Sequence, residues 1–432
     1  MNTLLESWPD LSIDERVAAF ERTPRDQAQR FFLELSSLDQ LELLMGLPQG
    51  ERRLWLRLLP PDDAADLIQL APDEERRELV GLLDNVARRE VNALLAYKED
   101  AAGGLMNPRF ARLRPDMTAD EAISYLRRQS TEVENVYYAY VLDESQHLLG
   151  ILSFRDLFNA DRSSTVTAIM RTSFISVAED TDQETVADLF KTHHLLAIPV
   201  VDQTGHMHGI VTLDDIVDVL RDEASEDIQK FGGMEALDAP YLKIGFATMV
   251  RKRAGWLSVL FLGEMLTATA MGHFQEEIER AVVLALFVPL IISSGGNSGS
   301  QATTLVIRAM ALGEVRLRDW WKIIIREFPT GFVLGLVLAV IGLARILIWQ
   351  GLWHSYGPHY LLVAFTVAFS LIGVVLYGTL IGSMLPFLLK RAGLDPASAS
   401  APFVATLVDV SGLIIYFTIA RVIMQGLMQG PV

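Results

Sequence analysis

The apolar positions of the chain follow three rhythms, one after another. From Leu4 to Tyr97 leucines recur at helical spacing, and stretches such as "LPPDDAADLIQLAPDEERRELV" put Pro and Asp at the starts of successive helices. That rhythm predicts a small superhelix of helix pairs, a packing module without chemistry of its own. Between Met117 and Val219 the period becomes that of short strands set between helices. From Ala254 onward apolar residues run together with few charges. A membrane-crossing helix needs roughly 20 of them. Five stretches qualify: Ala254–Gly272, Ala281–Met310, Phe328–Gln350, Leu361–Leu389 and Pro402–Leu427. The second and fourth exceed the requirement, which predicts that they are tilted, broken or extended beyond the bilayer.

The middle rhythm is a repeat. "YAYVLDESQHLLGILSFRDLFNA" (Tyr138–Ala160) matches "LAIPVVDQTGHMHGIVTLDDIVDV" (Leu196–Val219), with Gly150 and Gly209, and likewise Asp156 and Asp215, 59 positions apart. Each copy reads as a β-branched strand, an Asp-led turn, a second strand opening Gly-Ile, and an Asp that starts a helix. Upstream, "MTADEAISYL" matches "TDQETVADLF" at an offset of 63, so the first copy carries four extra residues. A strand–helix–strand–strand–helix unit in tandem resembles a CBS pair, a regulatory module whose units bury their sheets against each other and leave a nucleotide-sized cleft.

Basic residues orient the spans, since Lys and Arg stay on the cytosolic side. Arg251–Arg253 precede the first span, Arg308, Arg316, Arg318, Lys322 and Arg326 lie between the second and third, and Lys390 and Arg391 follow the fourth. The loops "HFQEEIER" and "WQGLWHSYGPH" are the opposite ones. The expectation is a cytosolic amino-terminal half, five spans and an external carboxyl terminus, with Arg345 and Arg421 snorkelling at the outer ends. No signal peptide is visible at the amino terminus.

Composition narrows the chemistry. The 432 residues carry a formal charge of −17, contain no cysteine and are half apolar. Absence of cysteine removes disulfides and thiolate metal centres. The acidic excess argues against nucleic acid, which needs basic patches, and suits a protein that meets cations. No GxxxxGK[ST], HExxH or GxSxG occurs, so an enzyme under CBS control has no visible machinery.

Polar residues inside the spans are the candidates for function. "PLIISSGGNSGSQATTLVI" (Pro289–Ile307) puts Gly295, Gly296 and Gly299 beside Asn297, Ser298 and Gln301 in a membrane segment. One reading is backbone opened to line a cavity, its carbonyls holding the waters of an ion while Asn297, Ser298 and Gln301 add oxygens. The other is close helix packing of the GxxxG type, which Gly295 and Gly299 satisfy. Pro289 is expected to kink the span before this point. Asp409, in "PFVATLVDVSGLIIYF", is a carboxylate deep in an apolar run. Burying it in lipid costs about 3 kcal/mol on insertion scales, so it should face water, and no basic residue lies mid-span to pair with it. Glu264 is a second intramembrane acid, either on the ion path or bonded to a neighbouring helix.

The order of these parts resembles the MgtE family of magnesium channels over nearly the whole chain. "AAGGLM", "TAMGHFQ", "IISSGGNSGSQ" and "TLVDVSGLIIYF" carry the resemblance. It implies an all-α helical domain (residues 1–107), two α+β CBS domains (108–165 and 166–223), an acidic connecting helix (224–250) and a five-helix pore domain (251–432). It also implies a homodimer in the bacterial inner membrane, embedded in the lipid bilayer, with a pore on the dimer axis that cytosolic domains close when Mg2+ is plentiful. ATP or another adenine nucleotide would occupy the CBS cleft. Mg2+ gives up its waters reluctantly, so a few oxygens around the hydrated ion suffice. The candidate pore ligands are then Asp409, Asn297, Gly295, Gly296, Gly299, Gln301 and Glu264.

Gating has its own candidates in "TLDDIVDVLRDEASEDIQKFGG". Asp215, Asp218, Asp222 and Glu226 fall on one helix face, with Ile216, Val219 and Leu220 on another, and Asp214, Glu223 and Asp227 complete the acidic set. Crowded carboxylates repel, a divalent cation relieves the repulsion, and the metal would thus favour a closed state that moves the linker Ala224–Ala239. His193 and His194, with His206 and His208 nearby in sequence, make poor co-ligands, because adjacent helical residues point apart. The family tends to carry a Tyr and an acid where this chain has the histidine pair. Two rival readings stand beside the magnesium one. A transporter of another divalent cation (Mn2+, Co2+ or Ca2+) fits the acids equally. A CBS-regulated anion path would want basic residues in the membrane, and the buried charges here are carboxylates.

Overall fold

The computed structural model describes Trp8 and residues 11–130, 132–237 and 239–424. The chain forms two compact units, Met1–Asp222 and Glu223–Val432.

The first unit opens with seven short helices from Ile13 to Leu94, started by Ser12, Ser36 and Asp84 side chains or by Pro24, Pro48, Pro60 and Pro72. A proline before the first helical residue has no donor to waste there. The helix that matters below is Pro61–Leu70 (α1), which buries Ala64, Ala65, Leu67 and Ile68 and carries Asp62, Asp63 and Asp66. The expected start of the superhelix at Leu4 lies outside the described residues.

Two three-stranded sheets follow, one per repeat. The first is Arg112–Leu113 (β1), Tyr138–Leu142 (β2) and Leu148–Ser153 (β3); the second is Val177–Ala178 (β4), Ala197–Val201 (β5) and Met207–Thr212 (β6). In each the first strand is parallel to the second and the second antiparallel to the third, with a register shift at Val141/Leu142 and again at Val200/Val201. The 59-residue repeat extends to the turns. Gln146 and Gly205 both take positive φ, and the hairpins meet where the His147 and His206 rings stack 4.1 Å apart, each ring Nδ1 near its own Asp143 or Asp202 carboxylate.

Helix Leu213–Phe231 (α2) leaves the second sheet and ends in a turn at Gly232 and Gly233. The connecting helix expected over residues 224–250 therefore starts eleven residues earlier and stops at Phe231. The next helix begins only at Phe246.

Among the described residues the second unit holds five helices long and apolar enough to cross a membrane. They are Phe246–His273 (α3), Val288–Ala311 (α4), Trp320–Trp353 (α5), Tyr360–Arg391 (α6) and Ala401–Ile423 (α7). α3 and α5 begin eight residues before their expected apolar runs, because the segments ahead of those runs, which carry Arg251–Arg253 and Lys322 with Arg326, are helical as well. Residues 425–432, including the end of the expected fifth span and the carboxyl terminus, lie outside the described residues. α6 is the hub: Val363, Val367, Leu371 and Val374 are buried against its neighbours. The most apolar window of α3 has nothing buried within the chain.

Candidate functional site

The glycine-rich stretch is continuous helix. α4 runs unbroken from Val288 to Ala311, so the expected opening of the backbone at Gly295–Gly299 does not occur. The expected kink at Pro289 is a helix start instead. Two short helices, Gln275–Arg280 and Val282–Ala285, precede it, and Pro289 sits in the first turn of α4, where a missing N–H costs nothing.

The polar residues divide between two faces of this helix. One face is buried against α6. A Cβ on Gly295 would come 3.0 Å from the Val374 carbonyl oxygen, and the nearest atoms to Gly378 and Gly382 are the backbones of Gly295 and Gly299. Ser298 and Thr379 hydroxyls lie 2.7 Å apart, and the Thr303 hydroxyl donates to the Gly382 carbonyl at 2.7 Å. Helices in lipid gain no hydrophobic energy from meeting, so close backbone contact and buried hydroxyl bonds hold this pair. Gly295 and Gly299 are thus packing residues and not cavity ligands.

The other face lines a cavity of about 410 Å³. α4 contributes Ser293, Gly296, Asn297 and Ser300, α7 contributes Asp409, and α3 contributes Glu264 and Thr267. Asn297 donates to Ser293 at 3.5 Å, and Glu264 and Asp409 come within hydrogen-bonding reach of each other. Of the residues expected at the ion site, Asp409, Asn297, Gly296 and Glu264 are brought together. Gln301 is exposed and does not line the cavity. Ser293, Ser300 and Thr267 were missed, although positions 293, 297 and 300 have the i, i+4, i+7 spacing of one helix face.

A second acidic assembly lies in the first unit. Asp215 is spent on structure: its carboxylate accepts from the Thr212 hydroxyl and backbone at the start of α2, and it is half-buried, so the exposed face shared with Asp218 and Asp222 lacks its first member. Burial pushes its pKa up to about 7, with Asp214 and Asp63 adding repulsion against the Thr212 bond. Asp66 is likewise pushed to about 7 by burial, then by Asp63, Glu99 and Asp215. Asp62 is held well above the carboxylate range by burial and by Asp215, Asp63 and Glu134. Burial and the charges of Asp214 and Asp218 raise Asp63, and burial with Asp214 and Asp63 raises Glu134. The fully buried Asn107 donates to Asp62 at 3.1 Å and Glu134 at 2.7 Å. The α1 acids and Glu134 were missed because nothing in their own segments marks them; only the fold brings them to Asp214. Among the described residues no three acidic or histidine side chains converge at metal-ligand spacing. A cation taken up here is therefore held through water or draws the side chains in.

Further along α2, in the second unit, Glu223, Glu226 and Asp227 are half-buried. Lys230 pairs with Glu226 and donates to Asp395, in the turn between α6 and α7, at 2.7 Å. Burial opposes its charge, but Asp395 and Glu226 outweigh it and hold the ammonium pKa above its ordinary value. Asp227 is raised by burial and by Asp395 and Glu223. His194 takes the left-handed conformation that ends helix Gln183–His193.

Residues 288–419 match the family described as divalent cation transporter, residues 2–100 match the MgtE intracellular N domain, and residues 102–163 and 166–222 each match the CBS domain. Over 426 residues the chain is 40% identical to the magnesium transporter MgtE of Thermus thermophilus, covering 98% of this chain and 93% of that one. The chain belongs to the MgtE family. The MgtE of Bacillus subtilis is 34% identical over 394 residues, covering 91% of this chain and 85% of its own. The MgtE of Enterococcus faecalis is 35% identical over 336 residues, covering 78% and 72%. A solved cytosolic domain of the Mg2+ channel MgtE in complex with ATP is similar at 40% identity, covering 50% of this chain and 88% of that chain, with a TM-score of 0.48. The MgtE relatives carry the name of transporters, not enzymes.

Proposed function

We propose that the chain is a homodimeric channel or transporter that admits Mg2+ to the cell, down the membrane potential, past Asp409. It sits in the bacterial inner membrane with its amino-terminal half in the cytosol and its carboxyl terminus outside. Family membership supports the transport of a divalent cation. The observation that supports Asp409 as the ion site is the wall of the cavity, where Asp409, Asn297 and Ser293 face one space. Six waters occupy about 180 Å³ at about 30 Å³ each, well under the cavity's 410 Å³. The space has room for Mg2+ with its waters, and the Asp409 carboxylate with neutral oxygens would hold them.

Closure at high cytosolic Mg2+ belongs to the same proposal. Asp214, Asp215, Asp218, Asp222, Glu223, Glu226 and Asp227 lie along α2; burial first, and then the repulsion of neighbouring carboxylates, raises Asp215, Asp222 and Asp227, and a divalent cation would relieve the repulsion. Binding there would favour one arrangement of α2 and the linker leading to α3. Neutralising Asp218, Asp222 and Glu226 together should leave the protein open at high Mg2+ in single-channel recordings. An adenine nucleotide in the CBS cleft belongs to the same proposal, supported by the two CBS matches. Titration with a fluorescent ATP analogue tests it.

The deciding experiment is Mg2+ uptake into proteoliposomes by the wild type, Asp409→Ala and Asp409→Asn. Loss in both variants supports the ion site. Retention of uptake makes the carboxylate structural and moves the search to Asn297.

A further inference from the structure

We propose that Glu264 sets the selectivity of this pore, giving it a second carboxylate at the ion and admitting divalent cations that shed water more readily than Mg2+, with Mn2+ and Ca2+ as the representatives. The inference rests on the reading of Asp409 as the ion's ligand.

Glu264 lies on α3, and its carboxyl comes within hydrogen-bonding reach of that of Asp409 on α7. Both face the same cavity. One turn further along α3, the buried hydroxyl oxygen of Thr267 also lines this cavity, and it makes no hydrogen bond among the described residues. A serine or threonine hydroxyl in a helix ordinarily returns to the carbonyl four residues back, as Thr269 does on the same helix. Thr267 instead adds an unspent oxygen beside the acid pair.

Ion chemistry then decides what this wall prefers. A single carboxylate with amide and hydroxyl oxygens suits an ion that keeps its waters. Two carboxylates in contact repel each other, and a cation held directly between them removes that repulsion most fully. Direct coordination replaces water. Mg2+ resists this and demands near-ideal octahedral geometry, whereas Ca2+ accepts six to eight oxygens in irregular arrangements, and Mn2+ also suits carboxylate and water ligands. Acidic side chains facing the pore are one basis of selectivity among cations. Glu264 therefore moves the site from holding a hydrated ion toward binding a partly dehydrated one.

The test is uptake of Mg2+, Mn2+ and Ca2+, each alone at equal concentration, into proteoliposomes containing the full chain. The expected wild type carries all three. Glu264→Gln is expected to lower Mn2+ and Ca2+ uptake about tenfold more than Mg2+ uptake, and Glu264→Asp to restore part of the ratio. A wild type that rejects Mn2+ and Ca2+ overturns the proposal. So does an unchanged ratio in Glu264→Gln, or equal loss of all three ions in both variants when the proteins elute as the wild type does. Asp409→Asn, run alongside, separates the two readings: if it retains full Mg2+ uptake, the ion site itself is misassigned, whatever Glu264 does.

Discussion

A Cβ on Gly299 would lie 2.9 Å from the carbonyl oxygen of Gly378. That oxygen belongs to helix backbone and cannot swing away, so α4 and α6 would have to separate. Gly296, one helix face away, would meet only Ala405, at 3.5 Å, an ordinary contact. Gly299→Ala should therefore destabilise the membrane half by about 1–3 kcal/mol, the range for overpacking, while Gly296→Ala changes stability little. Thermal unfolding in detergent, followed by size-exclusion chromatography, checks this. Equal effects at the two glycines would count against the packing assignment.

Lys230 holds a positive charge between Glu226 and Asp395. Replacing it with Met leaves those carboxylates, with Asp227 close by, without their built-in cation. Lys230→Met is expected to bind Mg2+ more tightly here and to close at a several-fold lower Mg2+ concentration. Protection of the linker from protease, titrated with Mg2+, reports the midpoint. A midpoint that rises instead would mean that the ammonium serves as a tether and not as a substitute for the ion.

Asp66 and Asp215 have pKa values near 7 in the folded protein, against about 3.9 unfolded. Between those values the folded state holds protons that the unfolded state has released. Stability must then fall as pH rises, by about 1.4 kcal/mol per pH unit for each group at most. Asp62, Asp63 and Glu134 shift in the same direction. In a chelating buffer the cytosolic half should melt at a higher temperature at pH 5 than at pH 8, and Mg2+ should recover the loss at pH 8. A melting temperature that is flat or rising over this window would sink the prediction.

What could be read from the sequence follows from the range over which each signal acts. Periodicity is local, so the five spans and the twin sheets were legible, down to the 59-residue spacing of Gly150 and Gly209. The role of Gly295 and Gly299 was not, because GxxxG spacing fits both an opened backbone and a packed one. Gly378 and Gly382, in a different span, decide between them. Pro289 was misjudged for a related reason: a proline kinks a helix that has already begun and starts one that has not, and only the turn at Leu286 and Phe287 tells which. Asp62 and Asp63 read as ordinary helix-start acids, and Asp66 as one more polar residue of the same helix, until the fold sets them against Asp214 and Asp215.

The break before α4 supplies the last prediction. The Tyr416 hydroxyl, fully buried on α7, donates to the Leu284 carbonyl at 2.8 Å. In a continuous helix that carbonyl would accept from the N–H of Val288; here Phe287 takes a tighter turn onto it at 3.0 Å. The bond pins the turn that starts α4 to the helix carrying Asp409, so both cavity walls share one anchor. Tyr416→Phe keeps the ring but leaves the carbonyl half-satisfied away from water, which costs about 1–2 kcal/mol. The variant should fold with a lower melting temperature, and its Mg2+ uptake should fall without abolition, because α4 loses its fixed start relative to Asp409. Stability lost with uptake unchanged would confine the bond to a structural role. If neither changes, the anchor does not exist.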